Sequence, residues 1–260
     1  DSYTNDNELG SCAFLNCSGL TSLSLPSSLT SIEREAFAGC SGLTSLSLPS
    51  SLTSIKYRAF YGCSGLTSLS LPSSLTSIEY YAFYGCSGLT SLSLPSGITS
   101  IDWNAFSGCS GLTSLTLPSS LTSIDSGAFS GCSGLTSLSL PSGLTSIGDG
   151  AFRGCSGLTS IYVYTEKLPN MGSDVFDGCD AKKCTVYVPK GTYDDYWLSE
   201  FGYFENIVEF DPTGINNVIT SNDAKELSRY SVNGQRLSAP TKGLNIVKYS
   251  DGSVKKVAVQ

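Results

Sequence analysis

Ten cysteines and no histidine set the first limits on the chemistry open to this chain of 260 residues. Seven of the thiols, Cys17, Cys40, Cys63, Cys86, Cys109, Cys132 and Cys155, follow one another at intervals of 23 residues. A metal-binding thiol needs further ligands converging on one point, and a column of equivalent positions does not converge. Without histidine there is no Ser-His-Asp triad, no Cys-His pair and no imidazole ligand. The column therefore reads as small buried apolar groups, a role that free cysteine often fills. Cys12/Cys17 and Cys179/Cys184 lie five apart at the two ends of the repeated region, where a disulfide and two free thiols are both open readings. The acidic pair Asp194-Asp195 could do acid–base work only in a sequestered pocket, and no insertion interrupts the repeats to make one. No catalytic residue, metal or cofactor is expected.

The remaining side chains able to do specific work are aromatic. Tyr57, Tyr80 and Trp103 share one register of the repeat, Tyr61 and Tyr84 share another, and Tyr81 adjoins Tyr80. Clustered Tyr and Trp are favoured where partners dock, because each offers a large rigid face with a polar tip. The candidate binding residues are Tyr57, Tyr61, Tyr80, Tyr81, Tyr84 and Trp103. The competing reading is that these rings only cover the core and stack on one another.

These side chains are carried by the repeat itself. The stretch CSGLTSLSLPSSLTSIEREAFAG, Cys17 to Gly39, returns with few changes at Cys40, Cys63, Cys86, Cys109 and Cys132, and in drifted form at Cys155. A fixed period of this length signals a solenoid, since one coil cannot bury its own apolar face and a stack can. Leu23-Ser24-Leu25 alternates with period two and predicts a short strand, which Pro26 ends because proline lacks an N–H for the ladder. A second extended piece is predicted at Leu29 to Ile32, after which Ala36-Phe37 plugs the coil. Stacking at about 4.8 Å per coil should align Phe14, Phe37, Phe60, Phe83, Phe106, Phe129, Phe152 and Phe176 in one spine. Variation between coils concentrates in the three residues after the Ile, where most of the aromatics sit.

The elements LTSLSLP, LTSI and AFAGC resemble the BspA-like leucine-rich repeats of bacterial surface proteins, over about residues 8–208. The resemblance implies a β-rich solenoid: a right-handed superhelix of 23-residue coils, with short parallel strands on the concave side and irregular or 3-10 turns on the convex side. The expected organisation is a solenoid over 1–210, a linker at 211–217 and a small antiparallel β module over 218–260. Within the solenoid, 1–16 form an N-terminal cap, 17–189 the repeats, and 190–210 a C-terminal cap. That cap should hold a short helix through Tyr193, Tyr196 and Trp197, with Trp197 as its anchor. In the β module, strands are expected around Val218–Thr220, Leu227–Val232, Leu244–Tyr249 and Val254–Val259, with hairpin turns at Asn233-Gly234 and Asp251-Gly252. This tail resembles the C-terminal modules of exported Bacteroidetes proteins, which implies a sorting role.

Charge narrows the partners. The net charge of −7 argues against nucleic acid or an anionic membrane as the main partner. It divides into 8 basic and 19 acidic side chains in residues 1–220, and 7 basic and 3 acidic in 221–260. No apolar run is long enough to span a membrane. The chain opens at Asp1 and its single methionine is Met171, so a removed signal peptide and an extracellular or outer-surface location are expected. The resemblance implies a non-catalytic surface or secreted binding and adhesion protein that recognises host matrix or bacterial surface proteins. The alternative is a carbohydrate-binding module that uses the Tyr/Trp patch. Oligomeric state is left open.

Overall fold

Each coil returns a Ser-Ile dipeptide to the same place, and these dipeptides build the most regular part of the molecule. The computed structural model describes residues 7–211, Ala239, and the strands Glu226–Ser231, Arg236–Leu237, Gly243–Tyr249 and Val254–Val259. In it, Ser31–Ile32, Ser54–Ile55 and Ser77–Ile78 pair in parallel with one another and with Glu8–Leu9. Ser100–Ile101, Ser123–Ile124, Ser146–Ile147 and Asn170–Met171 form a second ladder of the same kind. The β-branched isoleucines turn inward and are buried, which suits their preference for a pleated, half-buried surface. The whole is a parallel β-solenoid of about nine turns with a spacing of about 23 residues and almost no helix.

The Leu-Ser-Leu segment departs from expectation in the early coils. Leu23-Ser24-Leu25 is not a strand. Through the next two coils the segment holds only one bridge, Ser45 to Ser68, beside the Thr67 N–H bond to Thr44 O at 3.1 Å. Farther along it consolidates into Ser91–Ser93, Ser114–Thr116, Ser137–Leu140, Ser160–Val163, Thr185–Pro189 and Asn206–Phe210. Composition accounts for the longest strands at the far end, whereas Ser91–Ser93 keeps the Leu-Ser sequence of the early coils. Leu and Ser give way to Ile161, Val163, Val186 and Val188, and Tyr164 stands where earlier coils carry proline. β-Branched and aromatic residues stabilise strand pairing, and a proline cuts it short. Tyr162 stacks on Tyr187 at 4.5 Å across the longer ladder.

Between the two sets of strands runs the phenylalanine spine. Phe14, Phe37, Phe60, Phe83, Phe106, Phe129, Phe152 and Phe176 stack in sequence with centroids 5.1 to 5.9 Å apart and planes within 11°. The widest step, Phe152 to Phe176 at 5.9 Å, follows the one-residue insertion in the drifted coil.

From Cys40 onward the cysteine column is buried and does more than fill space, whereas Cys17 at its head, expected to be buried with the rest, is exposed because no full coil precedes it. Each thiol donates to the phenylalanine carbonyl of the coil before it, from Cys40 to Phe14 O at 3.0 Å through Cys109 to Phe83 O at 3.3 Å to Cys179 to Phe152 O at 3.5 Å. All ten cysteines are free thiols, so neither terminal pair is bridged in this structure; Cys12 and Cys17 alone among them are exposed. Burial pushes the Cys63 and Cys109 thiols up to about 12. The thiolate is the reactive form, so at pH 8 only ~1 in 10,000 such groups is ionised. An aromatic disulfide reagent at pH 8 should titrate two thiols in the native protein and ten in denaturant. Rapid native reaction of clearly more than two would mean that the coils open.

The C-terminal end is closed by aromatics. Tyr193–Trp197 forms a five-residue α-helix and Glu200–Tyr203 a 3-10 turn. Phe201 and Phe204 continue the spine at 5.0 and 5.1 Å from Phe176. The anchor is Tyr196, fully buried, with its hydroxyl donating to Thr165 O at 2.8 Å. Trp197, the expected anchor, is instead on the rim and stacks on Tyr193 at 6.1 Å. A helix this short can bury only one face, and its phase places Tyr196 there. Beyond residue 211 the described strands form an antiparallel sheet in the order Arg236–Leu237, Glu226–Ser231, Gly243–Tyr249, Val254–Val259. The expected strand at Val218–Thr220 and the turns at Asn233-Gly234 and Asp251-Gly252 lie outside the described residues.

Candidate functional site

After each Ser-Ile pair the chain leaves the ladder for three residues before Ala-Phe re-enters the core. The third of these has a positive φ in successive coils: Glu35 at 55°, Arg58 at 53°, Tyr81 at 59°, Asn104 at 51°, Gly127 at 66° and Gly150 at 57°. This conformation aims the residue's N–H at the next coil, as in Glu35 N to Tyr57 O at 3.0 Å and Tyr81 N to Trp103 O at 3.0 Å. Glycine adopts it freely and asparagine tolerably, whereas arginine and tyrosine are strained there, at about 1–2 kcal/mol each.

The strained turn throws Arg58 back over its neighbours. Its guanidinium carbon lies 4.9 Å from the Tyr57 ring centre, 5.0 Å from Tyr61 and 5.5 Å from Tyr81. Arg34 stands 5.3 Å from Tyr57. Glu35 pairs with both arginines, at 3.5 Å to Arg34 and 3.8 Å to Arg58. Glu79 pairs with Lys56 at 3.3 Å and accepts from the Tyr57 N–H at 2.9 Å. The rings also meet one another: Tyr57 and Tyr80 at 4.6 Å, Tyr61 and Tyr84 stacked at 4.9 Å, Tyr81 and Tyr84 at 5.6 Å. Cation–π contacts of this kind contribute about 0.5–1 kcal/mol each near a surface.

The structure thus gathers Tyr57, Tyr61, Tyr80, Tyr81 and Tyr84 into one arginine-held cluster. Tyr57, Tyr61, Tyr81 and Tyr84 are half-buried in it, and Tyr80 is 47% exposed. Trp103 stands apart, 59% exposed and with no ring partner among the described residues. Arg58, at the centre of the cluster, was not among the sequence candidates. The signal available was a cation flanked by tyrosines at 57 and 61; what could not be read was the left-handed turn that folds it over them.

Past Trp103 the three residues after the Ile lose bulk, with Ser126-Gly127 in one coil, Gly148 and Gly150 flanking Asp149 in the next, and Gly172-Ser173 after Met171. Two shallow grooves result. One of about 340 Å³ is lined by Trp103, Ile124, Asp125, Ile147, Asn170 and Met171, among others. The other, of about 300 Å³, lies against Asn104, Ser130, Asp149, Arg153 and Asp174. Asp149 is engaged, accepting from Ser173 N at 2.7 Å, and Arg153 pairs with Asp177 at 3.1 Å. Burial, reinforced by the charges of Asp125 and Glu79, raises the Asp102 carboxyl above the usual carboxylate range. Among the described residues no three His, Cys, Asp or Glu side chains group to hold a metal ion, and no helix is long and apolar enough to cross a membrane.

Comparison with known proteins agrees with this architecture. The family described as BspA type leucine rich repeat region matches over residues 7–136, 76–197 and 123–224. A leucine-rich repeat protein of T. pallidum is similar at 36% identity and a TM-score of 0.59, covering 61% of this chain and 76% of that one. A leucine-rich repeat protein from Bacteroides ovatus shares the fold at 24% identity and a TM-score of 0.53, covering 81% of this chain and 67% of that one. No curated protein matches the sequence. With the family pattern spanning well over half of the chain, the chain belongs to the BspA-type leucine-rich repeat family.

Proposed function

We propose that the chain is a non-catalytic surface or secreted binding protein that docks a protein partner on the aromatic surface led by Tyr80 and Trp103, with Tyr57, Tyr61, Tyr81 and Tyr84 as its support. BspA-type leucine-rich repeat proteins are typically surface or secreted binding proteins, which supports this class of function. The observation that carries the site is backbone strain. Arg58 and Tyr81 hold left-handed positions that glycine fills at Gly127 and Gly150. Strain of that kind persists where the side chain is needed, and clusters at binding sites. Tyrosine, tryptophan and arginine are also the residues that dominate protein interfaces.

The partner class is a host matrix protein or another bacterial surface protein. A sugar platform would need free, coplanar ring faces, whereas Tyr61 and Tyr84 give theirs to each other and Tyr57 is tilted 40° from Tyr80. In this reading 1–210 form the binding unit, 211–217 the linker, and 218–260 a second module with a sorting role in export. Tyr80→Ala combined with Trp103→Ala should lower the melting midpoint only slightly, because Trp103 has no ring partner among the described residues and Tyr80 loses little more than its contact with Tyr57. It should lower affinity for a protein captured from host matrix extract by at least ~30-fold, the effect of losing an interface hot spot. Wild-type affinity in the double variant would remove the surface from consideration.

A further inference from the structure

We propose that the groove beside Trp103 receives a lysine or arginine side chain from an extended segment of the partner protein. This rests on the surface-docking reading above and adds the chemistry of what docks. The first ground is the groove's shape. It runs along three successive rungs, Ile124, Ile147 and Met171. Two rung steps make about 10 Å, the length of about three residues of extended chain. Trp103 forms its exposed wall and Asp125 its rim.

The second ground is an imbalance of charge along the face. In the earlier coils each carboxylate after the Ile is answered from within the protein. Glu33 accepts from Ser31 Oγ at 2.6 Å, Glu35 pairs with Arg34 and Arg58, and Glu79 pairs with Lys56. Asp102 and Asp125 have no cation partner among the described residues, and Arg153, which lines the neighbouring groove, is already paired with Asp177. A tryptophan face next to unanswered carboxylates attracts a cation by two additive routes, ring quadrupole and Coulomb. Burial raises the Asp102 carboxyl first, and a cation arriving at Asp125 would offset the smaller part that Asp125 and Glu79 add by their charges. A resident metal is a poorer occupant, since no three metal-ligating side chains group here among the described residues.

The chain has two tryptophans, so Trp197→Phe leaves Trp103 as the sole indole reporter. In that background the emission of Trp103 is followed while adding a Gly/Ser peptide with one central arginine, the same peptide with lysine, the same peptide with citrulline, and a panel of neutral oligosaccharides. The expected result is saturable binding of the arginine and lysine peptides, at least tenfold weaker for citrulline. Asp125→Asn should weaken the arginine peptide by a similar factor with the melting curve unchanged. Equal binding of arginine and citrulline, indifference to Asp125→Asn, selective binding of an oligosaccharide, or no saturable binding of either cationic peptide would each overturn the proposal. If the Tyr80/Trp103 double variant loses a captured protein while Asp125→Asn retains it, the docking surface stands and the cation groove falls. Cation binding without any captured protein would leave the groove intact and remove the docking reading.

Discussion

Phe83→Ala is expected to destabilise the solenoid by about 3–5 kcal/mol, through lost burial and the cavity left behind. The ring is fully buried and stands between Phe60 at 5.1 Å and Phe106 at 5.2 Å, with planes only 3° apart from each. Its own backbone is fixed by the coil on either side: Phe83 N donates to Ala105 O at 2.7 Å, and Phe83 O accepts from the Cys109 thiol at 3.3 Å. The surroundings therefore cannot collapse into the hole without breaking rungs. At roughly 2–4 °C per kcal/mol for a unit of this size, the melting midpoint should fall by about 6–20 °C. Coils contact only their neighbours, so the defect also weakens coupling between the blocks on either side, and the transition should broaden. Phe14→Ala is the internal comparison. Phe14 is only half-buried and stacks on Phe37 alone, so its loss should cost about half as much. Equal effects at the two positions, or an unmoved midpoint for Phe83→Ala, would show that stability does not come from the spine.

What the sequence made legible was register. Copies 23 residues apart tell which residues become neighbours, so the period by itself places the Phe83 and Cys109 columns. What it concealed was backbone. The alternation in Leu23-Ser24-Leu25 points to a strand, yet the same Leu-Ser sequence first pairs as a strand at Ser91–Ser93, and the ladder lengthens only where Ile161, Val163, Val186 and Val188 enter it. The less conspicuous Ser31–Ile32 became the regular ladder instead. The same blindness hid part of the site. Tyr57, Tyr61, Tyr80, Tyr81 and Tyr84 were readable as a cluster from spacing alone, but the covering of Tyr57, Tyr61 and Tyr81 by Arg58 follows from a φ of 53° that arginine does not advertise. On its downstream side Trp103 meets Ser126, which offers no ring to lean on and leaves that face of the indole to the groove. Trp197 and Tyr196 exchanged roles because a five-residue helix has no periodicity long enough to fix its phase.

A second column of glycines, in the motif CSGL, leads to a result of comparable size. Gly111→Ala is expected to cost about 3 kcal/mol, the upper end for overpacking, although φ at Gly111 is not in the left-handed region. A Cβ there would lie 2.4 Å from Ser87 O, the backbone carbonyl of the coil before; Gly65, Gly88 and Gly157 meet the same obstacle at 2.2 to 2.4 Å. That carbonyl already accepts the Gly111 N–H at 3.0 Å, so neither partner can step aside. The clash can be relieved only by prying two coils apart, which strains Thr113 N to Thr90 O at 2.9 Å and the Ser91–Ser114 pairing next to it. Gly108 offers the contrast within the same coil. Its φ is +74°, but an added Cβ would come no closer than 3.5 Å to Gly85. Gly108→Ala therefore bears only the left-handed penalty, about 1–2 kcal/mol. Urea midpoints of the two variants separate the causes: a larger loss for Gly111→Ala means that the close approach of coils requires this glycine, while a larger loss for Gly108→Ala would put backbone conformation first and refute the steric account.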